Sequence, residues 1–98
     1  MTVHTLMDLR FRADAVDEAT KMLHNILIDT RAFDGCLGVD ALVDLDDPAH
    51  VVLFESWASP EHNAAYMAWR DGEGATPQLG AVLAGAPGAT RCATSDEI

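Results

Sequence analysis

The chain has 98 residues, 49% of them hydrophobic, which suits one domain with a modest core and leaves no room for a second. Sixteen acidic against six basic residues give a net charge of −10, without the Lys/Arg clusters that phosphate backbones require. That composition argues against nucleic acid or an anionic membrane surface as partners and reads as a solubilising surface. No apolar run approaches the ~20 residues that span a bilayer, and the start, Met1-Thr-Val-His-Thr5, has no signal-peptide pattern, so the expected location is cytoplasmic.

Val3 to Phe11 alternates as a strand, with Val3, Thr5, Met7, Leu9 and Phe11 on one face and His4, Leu6, Asp8 and Arg10 on the other. Asp14 suits an N-cap, and Asp17 and Glu18 favour the first turn of a helix. Val16, Ala19, Met22, Leu23, Ile26 and Leu27 then recur at helical spacing, predicting about five turns that end near Phe33, where Asp34-Gly35 breaks the helix. Cys36 to Leu45 is a second strand, Asp46-Asp47-Pro48 a turn, and His50 to Trp57 a third strand, the last two forming an antiparallel hairpin. Ser59 and Pro60 open a second helix to about Asp71, Gly72-Glu-Gly74 interrupts it, and Pro77 to Ala84 continues as a short helix. Gly85 to Gly88 turns into a last strand, Ala89 to Thr94. The domain therefore covers residues 1–94, with a polar tail at 95–98.

The order β-α-β-β-α-β is the α+β, ferredoxin-like plan with a four-stranded antiparallel sheet. Its second and fourth strands lie on opposite edges, about 14 Å apart. Cys36 and Cys92 on those strands are thus too distant for a disulfide, and their spacing has no zinc pattern, so both read as packing residues. Two helices cover one face of such a sheet, yet Leu6, Leu42, Val52 and Phe54 put apolar groups on the other. Soluble monomers avoid a bare patch of that kind, so a homodimer with its sheets face to face is expected.

The second helix carries the chemistry. At 100° per residue, His62, Asn63, Tyr66, Trp69 and Arg70 share an arc of about 120°, and Ala64, Ala65, Met67 and Ala68 fill the rest. Such a face suits the wall of a pocket for a small aromatic ligand. His62 is the one histidine with a plausible partner, and its ordinary pKa of about 6.5 suits a general base. Trp57 reads first as a packing residue, Trp69 and Arg70 serve equally well as dimer contacts, and His4, His24 and His50 have no metal-binding spacing.

Three segments together resemble the antibiotic biosynthesis monooxygenase domain: Phe33-Asp-Gly-Cys-Leu-Gly38, Asp44-Leu-Asp-Asp-Pro48, and Phe54-Glu-Ser-Trp57 set nine residues before Tyr66. The resemblance spans residues 1–94 and implies a dimeric α/β barrel. It also implies oxidation of a phenolic, quinol or polyketide-like aromatic by molecular oxygen as co-substrate, with no metal, flavin or haem. It places Tyr66 in a pocket, His62 one turn earlier on the same face, and aligns Arg91 with a pocket arginine. The expected catalytic residues are His62 and Tyr66, and the expected substrate contacts Trp57, Asn63, Trp69, Arg70 and Arg91. Haem-degrading relatives need an Asn in the first strand, a Trp where Tyr66 stands and a histidine about ten residues on, where this chain has Thr76 and Leu79; haem degradation is not expected. The alternative is a dimeric small-molecule-binding or stress-associated domain without turnover.

Overall fold

The computed structural model describes all 98 residues. Seven elements follow one another: β1 (Val3–Arg10), α1 (Val16–Ala32), β2 (Cys36–Asp44), β3 (Asp47–Trp57), α2 (Pro60–Asp71), α3 (Pro77–Val82) and β4 (Gly88–Ala93). The strands form one antiparallel sheet in the order β2-β3-β1-β4, the ferredoxin-like arrangement read from the sequence. Cys36 and Cys92 therefore stand on opposite edges, and both are free thiols.

Strand alternation assigns each residue to a face. Val3, Thr5 and Leu9 of β1 and Val51, Leu53, Glu55 and Trp57 of β3 are buried beneath the helices. From α1, Ala19, Leu23 and Leu27 meet Leu9, Val39, Val51 and Leu53 in the main core, which Phe11 and Val82 close. A second, smaller core joins Val3, Trp57 and Tyr66, with Phe33 and Trp69 packed around it.

Three local expectations are corrected. Asp14 does not cap α1: Ala15 holds that position without a side-chain hydrogen bond, and the Asp14 carboxylate instead meets Arg12 Nη2 at 2.8 Å. The hairpin turns at Leu45-Asp46, and Asp47 already pairs with Asp44. Pro48 lies inside β3, which the register shift between Val43 and Asp44 permits; β1 pairs only as far as His50, so the missing N–H interrupts no ladder. Finally α3 stops at Val82, because Leu83 is extended and bridges to Phe11. Elsewhere Ser59 caps α2 as expected, its side chain accepting from the His62 amide.

The far face of the sheet has no helix over it. Leu6, Leu42, Val52 and Phe54 lie there among His4, Asp8, Asp40 and His50, with Leu6 and Leu42 exposed. At one end of that face His50 bridges β2 and β1: Nδ1 lies 2.8 Å from Asp44 Oδ2 and Nε2 3.0 Å from Asp8 Oδ1. These hydrogen bonds, Asp44 first and Asp8 second, raise the His50 pKa against the opposing charge of Arg10, and the bond to His50 lowers that of Asp44. A histidine whose pKa is raised by folding stabilises the fold fully below its unfolded pKa and loses that contribution as pH rises through the folded value. The melting temperature of the wild type, relative to that of His50→Gln, is therefore expected to be higher near pH 6 and to converge with it by about pH 9, measured at constant ionic strength. A difference that does not change over that range would remove the charged clamp.

Candidate active site

Helix α2 turns its polar arc inward. Asn63 and Tyr66 are buried, His62, Trp69 and Arg70 half-buried, Ala64, Ala65 and Ala68 look outward, and Met67 is exposed at the cavity rim. Burying a polar arc is costly unless each group finds a partner, and the partners here come from α1 and the loop after α2. Arg70 Nε donates to the Tyr66 hydroxyl at 2.8 Å, Nη1 to the Gly74 carbonyl at 3.0 Å, and Nη2 to the Ile26 carbonyl and Thr30 Oγ1, both at 2.9 Å. Thr30 Oγ1 also lies 2.8 Å from the Tyr66 hydroxyl and donates to the Ile26 carbonyl at 3.3 Å. Since Tyr66 accepts from Arg70 and Thr30 gives its proton to Ile26, the Tyr66 O–H donates to Thr30.

Between this helix layer and the sheet lies a cavity of about 520 Å³. Its floor is Thr5, Met7 and Leu9 of β1, Leu53 and Glu55 of β3, and Ala89 and Arg91 of β4; Leu23, Ile26 and Leu27 of α1 and Leu79 of α3 supply apolar walls. Asn63, Tyr66, Met67 and Arg70 line it from α2. Asn63 is 1% exposed, and its Oδ1 accepts from Arg91 Nε at 2.7 Å, joining α2 to the edge strand. A mostly apolar hollow of this size with a few converging polar groups is the usual form of a small-molecule site.

Four residues expected at the site meet on the cavity: Asn63, Tyr66, Arg70 and Arg91. Three do not line it. Trp57 is fully buried behind it, 4.6 Å from Tyr66 between ring centroids, with its indole N–H donating to Glu55 Oε1 at 3.2 Å. Trp69 packs on Phe33 and carries the Arg70 guanidinium 4.6 Å from its ring centroid, while the tight Gly74 turn presses on its other side. His62 faces away from the cavity. Its Nδ1 sits 2.7 Å from Ser59 Oγ, Nε2 is 3.7 Å from Asp34, and the ring covers Gly35, whose φ of +86° and lack of a Cβ give it room.

Two cavity residues went unremarked in the sequence. Glu55 is 2% exposed, and desolvation raises its pKa against the opposing effects of the Trp57 hydrogen bond and the Arg70 charge. Thr5 is 6% exposed, and its Oγ1 is a buried polar atom without a partner. The signal for both was parity: each occupies an inward position of an otherwise apolar strand face. No three His, Cys, Asp or Glu side chains are arranged to hold a metal ion, and His50 spends both ring nitrogens on carboxylates.

Tyr66→Phe removes one hydroxyl and leaves Arg70 Nε and Thr30 with a lost partner each, so it is expected to destabilise the fold by about 1–3 kcal/mol in urea titrations. An unchanged midpoint would mean that the network reorganises around the missing oxygen.

The sequence matches the antibiotic biosynthesis monooxygenase family over residues 2–76. A comparison with curated proteins finds no match. Among solved structures, a conserved protein from Methanosarcina mazei Go1 is similar with a TM-score of 0.86 at 13% identity, covering 97% of this chain and 94% of that one. Rv0793 from Mycobacterium tuberculosis aligns with a TM-score of 0.78 at 25% identity, over 98% and 97% of the two chains. A variant of SnoaB, a cofactor-independent oxygenase from Streptomyces nogalater, gives 0.82 at 12% identity over 95% and 92%. No helix is long and apolar enough to cross a membrane. With three quarters of its length matched to the family and the same fold along the whole of it, this chain belongs to the antibiotic biosynthesis monooxygenases.

Proposed function

We propose that the protein is a cofactor-independent monooxygenase acting on a phenolic, quinol or anthrone-like aromatic. The observation that carries this reading is the 520 Å³ cavity, apolar on most of its wall, in which Asn63, Tyr66, Arg70 and Arg91 converge. Family membership and the likeness to SnoaB, a cofactor-independent oxygenase, support it. The chemistry asks the protein for little. A hydroxyaromatic, once deprotonated, is electron-rich enough to pass an electron to oxygen. Recombination of the radical pair forms a C–O bond, and loss of water leaves a carbonyl. For an anthrone the balance is one methylene and one O2 converted to one ketone and one water. The protein removes the proton, stabilises the oxyanion and excludes water.

In this reading Arg91 faces the developing oxyanion. Its Nε is fixed by Asn63, and its Nη groups make no hydrogen bond within the chain. Tyr66 and Arg70 are engaged with one another and with α1, so they shape the wall and contribute positive potential. His62 acts as a partner of the Ser59 cap and not as the base. We further place the enzyme as a homodimer, with Leu6, Leu42, Val52 and Phe54 of the two sheets packed against each other.

Wild-type protein stripped of metal is expected to consume oxygen with an anthrone or a substituted hydroquinone, without added flavin. Arg91→Ala is expected to lower kcat/KM about 100-fold, Asn63→Ala about tenfold, and His62→Ala little. Loss of turnover in a folded His62→Ala would return the base to His62. Binding of the aromatic without oxygen uptake would favour a ligand-binding domain instead.

The dimer has its own test. Leu42 is exposed in the single chain, so Leu42→Asp leaves that chain intact and places a charge in the proposed interface. Sedimentation is expected to give twice the chain mass for wild type and the single chain mass for the variant. A wild type that sediments as a monomer at micromolar concentration would discard the arrangement.

A further inference from the structure

The sheet register aligns three polar residues across the cavity floor. Glu55 on β3 pairs with Thr5 on β1, and Thr5 pairs with Arg91 on β4. All three line the cavity, and their neighbours along the strands on that face are apolar or Trp57. The two charges at the ends of this row do not pair. Arg91 turns to Asn63 and Glu55 to Trp57, and no salt bridge joins them. Between them sits a hydroxyl, 94% buried in its residue, with nothing to bond. Buried polar atoms are rarely left so, and Thr5 is part of the cavity floor.

We propose that Glu55 is the proton acceptor of this cavity, with the Thr5 hydroxyl and the Arg91 guanidinium holding the substrate oxygen on which charge develops as the proton leaves. The assignment rests on the hydroxyaromatic reading given above and specifies it. One oxygen of Glu55 accepts from the Trp57 indole, which holds the carboxylate in place, and Oε2 has no partner in the chain. The backbones of β3 and β4 stand two strand spacings apart at this point, about 10 Å. Their long side chains rise from the same face of the sheet on either side of Thr5. An anthrone suits that row, because its acidic methylene lies across the central ring from its carbonyl oxygen. In the step, a methylene C–H bond breaks and its proton bonds to Glu55 Oε2. The electron pair stays on the ring and its charge moves to the oxygen at Thr5 and Arg91. Carboxylate becomes carboxylic acid, and total charge is conserved.

Burial raises the basicity of Glu55 towards that useful in a base near neutral pH. The ionisable groups around it are few. Tyr66, Arg70 and Asp71 of α2 and Arg91 of β4 line the same cavity, and Cys36 of β2 lies close enough to be affected by its charge. The residues contributed by α1, α3 and β1 carry no charge.

Proton removal is separable from oxygen chemistry. In deuterated buffer under nitrogen, anthrone exchanges its methylene hydrogens each time the bound molecule is deprotonated, and mass spectrometry counts the exchange. Wild type is expected to accelerate exchange, through one ionisation above the ordinary carboxylate range. Glu55→Gln keeps an acceptor for the Trp57 indole and is expected to slow exchange at least 100-fold and to abolish that ionisation. Glu55→Asp restores part of the rate, and Thr5→Val raises KM for exchange with a smaller effect on kcat. Circular dichroism establishes that each variant is folded. Exchange by Glu55→Gln at the wild-type rate, or a wild type that binds anthrone without exchanging it, overturns the assignment. Exchange without oxygen uptake in air keeps Glu55 as the acceptor and rejects the monooxygenase reading.

Discussion

The architecture of the site depends on one half-buried cation. Arg70 sits under α2 with its guanidinium spent on the Tyr66 hydroxyl, the Gly74 and Ile26 carbonyls and Thr30 Oγ1, and with the faces of Tyr66 and Trp69 beside it. Charge-assisted hydrogen bonds of this kind are worth more than neutral ones and more directional. Four contacts on three chain segments fix the roll of α2 about its axis, and that roll decides which residues face the sheet. Asn63, two turns towards the N-terminus, is thereby aimed at β4 and takes up Arg91. The roof of the cavity is thus set from the side opposite its floor. The helix can expose alanines and bury a polar arc only because its hydrogen-bonding partners are complete.

The cavity follows from how unevenly the helices cover the sheet. α1 packs its Ala19, Leu23 and Leu27 stripe on Leu9, Val39, Val51 and Leu53 and closes the core there. Over β1 and β4 the cover is α2 and the six-residue α3, and the helix layer stands off from the strands. The face of β4 is correspondingly exposed in the single chain. A space above a sheet takes its chemistry from strand parity, so a row of three paired residues sets the polarity of the whole floor. Here that row is Glu55, Thr5 and Arg91, carrying a carboxyl group, a hydroxyl and a guanidinium on three adjacent strands.

Element types and order were legible from a period of two in Val3–Phe11, a period of three to four in Val16–Leu27, and the short apolar run Val51–Phe54 set between a turn and a helix cap. The Ser59-Pro60 start of α2 was legible from capping chemistry alone, and the Ser59 cap is present. Asp14 was not, since a capping residue with an arginine two positions away has a second partner, and Arg12 takes it. The hairpin turn was misplaced because Pro48 reads locally as a breaker, whereas an edge bulge accommodates it. At the site, helical arithmetic gathered the right arc, but an arc of 120° reaches beyond one cavity. His62 and Trp69 lie at its margins in angle or along the axis, and they pack on Gly35 and Gly74. Glu55 and Thr5 are marked in the sequence only by parity, as polar residues at inward positions of apolar strand faces.

The two faces of the sheet divide the work by what each can afford to expose. The helix-side face buries Glu55 and Thr5, so the carboxylate there has a raised proton affinity and the unpaired hydroxyl stands out. The far face tolerates Leu6 and Leu42 in the open and places its charges, Asp8, Asp44 and His50, at one end, where they bond to each other across strands. The same alternation that points Glu55 into the cavity points Phe54 and Ser56 the other way. The position of the proposed base and the position of the proposed interface are therefore one decision, made by the register of β3 against β1.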